Sequence, residues 1–165
     1  MLDASTKRYM SHNLISVAWT ETMQAAFDKM SSHRIRHLPV VSETQEVVGI
    51  ISDRDFQRAM QIDEPDFFSG RVPQAAFSPH ARVRDFMCSP IQTLSVESSL
   101  SEAAKVMLDK KISALLIANE AEIVGILTTD DLLRALIESL EQTSEVPFKD
   151  RFLSVLFDSP TQPNL

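Results

Sequence analysis

The chain has 165 residues, 44% of them hydrophobic, and a formal net charge of −7; that length suits one domain or two small units sharing a core, and an acidic chain is repelled by nucleic-acid phosphate, so no nucleic-acid partner is expected. The single cysteine, Cys88, excludes an internal disulfide and fits a reducing compartment. No apolar run approaches the roughly 18 residues that a spanning helix needs, and the opening MLDASTKRYMSH has no signal-peptide core, so the expectation is a soluble cytoplasmic protein with no membrane partner.

In chain order, Leu14–Val17 reads as a short strand. Thr20 and Thr22 are N-cap candidates for a helix to about Ser32, with Met23, Ala26, Phe27 and Met30 at helical spacing. Leu38–Val41 and Val47–Ile51 are apolar runs around the polar turn Ser42–Glu46, which predicts a hairpin. Ser52 caps a helix through about Met60. Gln61–Arg84 carries Pro65, Pro73, Pro79 and Gly70 with Phe67, Phe68 and Phe77, the composition of an irregular connector that packs on something. A second series follows: strand Ile91–Val96, helix Leu100–Lys110, strands Leu115–Ala118 and Ile123–Leu127, and helix Thr129–Leu140. After the polar Glu141–Glu145, residues Phe148, Phe152, Leu153, Leu156 and Phe157 fall on one face of a short helix expected at about 147–157.

The second series is a copy of the first. An offset of 77 pairs Met10 with Met87, Ala26 with Ala103, Met30 with Met107, Ile35 with Ile112 and Leu38 with Leu115. After a one-residue deletion in the turn, an offset of 76 pairs Gly49 with Gly125, Ile50 with Ile126, Asp55 with Asp131 and Arg58 with Arg134. Each copy reads β-α-β-β-α, and strands this continuously apolar suggest small sheets covered by helices.

The repeated motifs GIISDRD (Gly49–Asp55) and GILTTDD (Gly125–Asp131), with IRHLPVV (Ile35–Val41) before the first, resemble the cystathionine-β-synthase-type (CBS) domain. Two such repeats form a Bateman module, and the chain is similar to stand-alone bacterial CBS proteins and acetoin-utilisation regulators. The resemblance covers residues 5–62 as repeat 1 and 81–140 as repeat 2, with a connector at 63–80 and a tail at 141–165. It implies an α/β (α+β) fold of two tandem repeats related by a pseudo-two-fold axis, their sheets packed on each other, with a C-terminal helix added. It also implies a regulatory ligand, AMP, ADP or ATP, bound in the cleft between the repeats, with no catalysis and no required cofactor. The alternative is an interaction module with empty clefts that acts through its apolar C-terminal face on an effector protein.

Ser52-x-x-Asp55 and Thr128-x-x-Asp131 have the spacing of a helix N-cap with an acidic residue in the first turn. The same pairs could hold a ribose, since a carboxylate accepts two hydrogen bonds from a cis-diol; the resemblance implies that role. The basic residues differ between copies. The first has Arg36, His37 and Arg54 where the second has Ser113, Ala114 and Asp130. His33, Arg34, Lys110 and Lys111 read as solvated helix ends, where cations suit the helix dipole. By resemblance, Arg36, His37 and Arg54 contact phosphates and reach across to the other repeat's ribose, while Ser16, Val17, Thr93 and Leu94 flank the adenine. The better-held nucleotide should therefore place its ribose on Thr128 and Asp131 and its phosphates on Arg36, His37 and Arg54. Tyr9 and Trp19 read as packing residues and Cys88 as a small packed one. His12, His33, His37 and His80 show no metal-ligand spacing, and no catalytic set is readable. Leu132, Leu133, Leu136, Ile137 and Leu140, with Phe152 and Leu156, exceed what one small core needs and predict a homodimer.

Overall fold

The computed structural model describes residues 5–62 and 75–144. The elements run α1 (Thr6–Tyr9), β1 (Val17–Ala18), α2 (Met23–His33), β2 (His37–Val41), β3 (Val47–Ser52), α3 (Asp53–Ala59), β4 (Met60–Ile62), β5 (Ala75–Phe77), α4 (Val83–Phe86), β6 (Thr93–Ser95), α5 (Leu100–Lys110), β7 (Ala114–Asn119), β8 (Glu122–Thr128) and α6 (Thr129–Ser144). Two three-stranded sheets, β1-β2-β3 and β6-β7-β8, have the same topology: the first pair parallel, the second antiparallel. The expected mixed α/β fold of two tandem repeats is the observed one.

The repeat is kept down to single residues. Thr22 accepts a hydrogen bond from the Ala25 N–H, and Ser99 one from the Glu102 N–H, so the same side-chain cap starts α2 and α5. Both helices end on a left-handed residue, Arg34 (φ 54°) and Lys111 (φ 55°). Each hairpin has a register shift at the same place, between Val40 and Val41 and between Ile117 and Ala118. Gly49 and Gly125 sit in equivalent settings. A Cβ on Gly49 would lie 2.6 Å from the Met87 sulfur and 3.1 Å from the Cys88 carbonyl oxygen; on Gly125 it would lie 2.6 Å from the Met10 sulfur and 3.1 Å from the Ser11 carbonyl oxygen.

Those two contacts show where the packing units depart from the sequence copies. The segment at 5–11, assigned to repeat 1 by sequence, packs on repeat 2: the Thr6 hydroxyl donates to the Val96 carbonyl at 3.0 Å, and Ser11 bridges Ile126. The segment at 77–88 packs on repeat 1, where the Met23 N–H donates to the Ala81 carbonyl and Cys88 bridges Ile50. Met10 accordingly belongs to the core built on α5, β7 and β8, while Ala81 and Val83 belong to the core built on α2, β2 and β3. The repeats exchange their leading segments, and α1 and α4 are the single-turn helices that do it.

Other boundaries moved as well. Two strands are shorter than their apolar runs suggest: β1 is Val17–Ala18 rather than Leu14–Val17, and β6 is Thr93–Ser95 within Ile91–Val96. The connector is not wholly irregular, because β4 and β5 pair antiparallel, Met60 with Phe77. Aromatic packing holds them: the Phe77 ring lies 5.7 Å from both Phe27 and Phe56, which meet edge to face at 5.4 Å. Helix α6 runs on past Leu140 to Ser144. The helix expected at 147–157, with Phe148, Phe152 and Leu156, lies outside the described residues, as do Phe67 and Phe68.

Candidate ligand-binding clefts

Where β3 ends, its last residue becomes the cap of the next helix. The Ser52 N–H and hydroxyl both donate to Asp55 Oδ2 at 2.8 Å, and Arg58 donates to Asp55 Oδ1. Repeat 2 reproduces this: the Thr128 N–H and hydroxyl donate to Asp131 Oδ2 at 2.8 Å, and Arg134 donates to Asp131 Oδ1 at 3.0 Å. The carboxylates are nearly buried, Asp55 at 6% and Asp131 at 5% exposure, and satisfied as buried charges must be. Each accepts three bonds where a carboxylate can accept about four. The Ser52 and Thr128 hydroxyls, having donated, keep acceptor lone pairs. Capping and ribose holding are therefore compatible uses of one pair.

Each pair opens onto a cleft. The Thr128 cleft has a volume of about 210 Å³ and is lined by Thr128, Asp131, Asp130 and Arg134 from repeat 2, and by Asn13, Leu14, Ile15, Arg34, Arg36 and His37 from repeat 1. The Ser52 cleft, about 240 Å³, is lined by Ser52, Arg54 and Asp55 from repeat 1 and by Pro90, Ile91, Gln92, Lys111, Ile112 and Ser113 from repeat 2, with Cys88 and His37. Their volumes are nearly equal, and their lining charges differ.

Those charges do not fall as the sequence suggested. Arg36 and His37 do face Thr128 and Asp131, but Arg54 lines the Ser52 cleft, beside its own repeat's Asp55. Asp130, expected opposite Ser52, lines the Thr128 cleft. Both residues precede the capping aspartate by one position in the first helical turn, which keeps each in its own repeat's cleft. Arg36 Nη2 alone donates to both carboxylate oxygens of Asp130 at 2.8 Å, an ion pair between the repeats made through one guanidinium nitrogen. His37 lies 2.9 Å from the Ser113 hydroxyl in a hydrogen bond and lines both clefts. Burial pushes its imidazole below the ordinary histidine range, against the pull of Asp53, so it is uncharged at neutral pH and supplies no cation.

Two cations read as solvated helix ends are in the clefts: Arg34 in one and Lys111 in the other. The signal that could have found them is their pairing at the offset of 77, together with the absence of glycine at two helix C-termini that turn left-handed. A left-handed conformation costs a side-chain-bearing residue on the order of 1 kcal/mol. The four strand positions assigned to the adenine do not line the clefts. Val17 is a core residue at 1% exposure and Leu94 packs against the second core. The residues three and two positions earlier, Asn13 to Ile15 and Pro90 to Gln92, form the walls instead. The strands begin later than the sequence suggested, so the cleft is walled by the extended lead-in.

Trp19 packs against the first core, and its Nε1 is buried without a hydrogen-bond partner among the described residues. Cys88 is exposed; burial of its sulfur and then the Asp55 charge push its thiol up, so it is no activated nucleophile. Among the described residues no group of three or more His, Cys, Asp or Glu side chains could hold a metal, and no helix is long and apolar enough to cross a membrane.

Comparison with known proteins bears out the fold. The family model described as "CBS domain" matches residues 7–62 and 83–138, more than half of the chain. A CBS domain-containing protein of Dictyostelium discoideum is 29% identical over 136 residues, covering 82% of this chain and 92% of the relative. The crystal structure of a Vibrio cholerae protein named for acetoin utilization (AcuB) superposes with a TM-score of 0.69 at 25% identity, covering 88% of this chain and 100% of that one. The CBS domain pair of protein MJ0100, crystallised with 5′-methylthioadenosine and S-adenosyl-L-methionine, shares the fold with a TM-score of 0.65 at 22% identity, covering 82% of this chain and 98% of that one.

Proposed function

We propose, from the premise that this chain belongs to the CBS-domain family, that it is a regulatory, non-catalytic module that binds adenosine-containing ligands in its two inter-repeat clefts. The observation that carries the reading is the matched pair of hydroxyl–carboxylate clamps, Ser52 with Asp55 and Thr128 with Asp131, each opening on a cleft to which the other repeat contributes a cation, Lys111 or Arg36. In this reading the clamps take the ribose hydroxyls. Arg34, Arg54 and Lys111 are available to phosphates, Arg36 is held by Asp130, and His37 offers a neutral hydrogen bond to either ligand. AMP, ADP and ATP are the nucleotides proposed. The ligands of MJ0100 add S-adenosylmethionine and methylthioadenosine to the panel to be tried.

The test is a thermal shift with that panel. A ligand of the folded state must raise the melting temperature, by RT ln(1 + [L]/Kd) in free energy. At a hundred-fold excess over Kd the stabilisation is about 2.7 kcal/mol. No shift with any adenosine compound at millimolar concentration refutes the reading.

A specific observation favours an interaction role beside it. The face between α5 and α6 is an apolar groove of about 520 Å³ lined by Leu100, Leu108, Leu132, Leu133 and Leu136. Leu108 is 77% exposed, Leu133 57% and Leu140 58%. The equivalent face of repeat 1 is covered in cis by Phe77 on Phe27 and Phe56. The proposed cover for the bare face is a second copy of the chain, in a homodimer that could also present the module to an effector protein. Leu133→Asp should then shift light scattering from dimer mass to monomer mass at tens of micromolar; a wild-type monomer at that concentration would count against the dimer.

A further inference from the structure

The clefts are built alike but charged differently, and one pair of positions carries the difference. The offset that equates Arg36 with Ser113 and Arg54 with Asp130 makes Arg36–Asp130 in the Thr128 cleft the counterpart of Ser113 and Arg54 in the Ser52 cleft. In the Thr128 cleft Arg36 is held through Nη2 by Asp130, and Arg134 by Asp131. Of the three lining guanidiniums only Arg34 has no ion pair among the described residues. In the Ser52 cleft the position of Asp130 is taken by a cation: Arg54 and Lys111 both line it, and neither is ion-paired among the described residues. Its one lining carboxylate, Asp55, is engaged by Arg58, which stands outside the lining. His37, shared by the two clefts, cancels from the comparison.

Resting on the reading of both clefts as adenosine sites, we propose that they sort adenosine ligands by charge: the Ser52 cleft takes the phosphorylated nucleotide, and the Thr128 cleft, where Asp130 already occupies Arg36, takes an adenosine without a negative 5′ substituent. A phosphate entering the Thr128 cleft competes for Arg36 with the Asp130 carboxylate, which already holds the guanidinium through Nη2. The released carboxylate stays on the first turn of α6 within the cleft and repels the phosphate that replaced it. An uncharged 5′ substituent leaves the pair intact and meets neither cost. In the Ser52 cleft a phosphate meets two cations that need not leave any partner. This ordering reverses the one expected from sequence, which had Arg54 and Asp130 in each other's clefts.

Cys88 makes the two clefts separately observable, because it is the only cysteine of the chain and lines the Ser52 cleft alone. The experiment pairs calorimetric titration of the full chain with the rate of Cys88 alkylation by iodoacetamide, using AMP and adenosine as the ligands. AMP should protect Cys88 over the concentration range in which calorimetry sees its tighter site fill, whereas adenosine at its tighter site should leave the alkylation rate unchanged. Two exposed substitutions then test the charges without touching the buried clamps. Asp130→Asn should raise AMP affinity at the weaker site about ten-fold, roughly the worth of one charge-assisted hydrogen bond. Arg54→Ser should lower the ratio of AMP to adenosine affinity about ten-fold. Saturation of the tighter AMP site with Cys88 unprotected, or an Asp130→Asn variant with unchanged AMP titration, overturns the sorting while leaving the adenosine reading in place. Failure of both ligands to bind the wild-type chain overturns the adenosine reading, and the sorting with it.

Discussion

At the scale of single residues, the two glycines and His37 carry the clearest consequences. Gly49 and Gly125 have no room for a Cβ, each being pressed by a methionine sulfur and a backbone carbonyl. The sulfur can swing aside, but the carbonyl belongs to a β-bridge and cannot. Gly49→Ala and Gly125→Ala should each cost about 1–3 kcal/mol of unfolding free energy in urea titrations, as overpacking of a tight site does, and by similar amounts. His37 adds a pH dependence whose sign follows from its lowered pKa. Above the unfolded value of about 6.5 both states hold a neutral imidazole, and the group is silent. As pH falls below that value the unfolded chain binds the proton first, so stability is lost down to the folded pKa. Urea titrations at pH 7.5 and 5.5 should show wild type losing more stability than His37→Gln; an equal loss would mean His37 stays accessible to a proton.

At the scale of elements, the two repeats solve one problem in two ways. Each lays two helices over its sheet and leaves an outer groove. In repeat 1 the β4–β5 hairpin returns over that groove and seats Phe77 between Phe27 and Phe56. In repeat 2 the positions of Phe27 and Phe56 are Ala104 and Leu132, and both line the open groove. Phe77→Ala should cost about 2 kcal/mol, less than a fully buried phenylalanine because Phe77 is only partly buried. The loss should appear as faster hydrogen exchange at Met60–Ile62 before any change in β7 and β8. The hairpin was hidden from sequence because β4 is three residues long and follows α3 without a turn signal. Only the aromatic seat defines it.

At the scale of the whole molecule, the exchanged leading segments bind the halves together. Thr6 is fully buried and Met10 is 6% exposed, both against repeat 2 although the chain places them before repeat 1. Removing residues 1–11 should therefore open the core around β7 and β8, whose Ile126 amide loses the Ser11 carbonyl. Hydrogen exchange should rise there first and spare β2 and β3; the reverse pattern would contradict the exchange of segments.

The repeat, its helix caps and hairpins, and the two hydroxyl–carboxylate clamps were legible in the sequence because each depends on spacings of a few residues, and a local spacing forms the same contact wherever the copy lies. The 76-residue offset could equate Asp55 with Asp131, and the structure gives both the same bonds at the same 2.8 Å. What only the tertiary structure decided is which cation faces which clamp, and which repeat each leading segment packs on. Arg36 and Asp130 are 94 residues apart and meet only because the two copies pack against each other. Neither periodicity nor composition carries that packing, because it depends on the relative placement of the two halves.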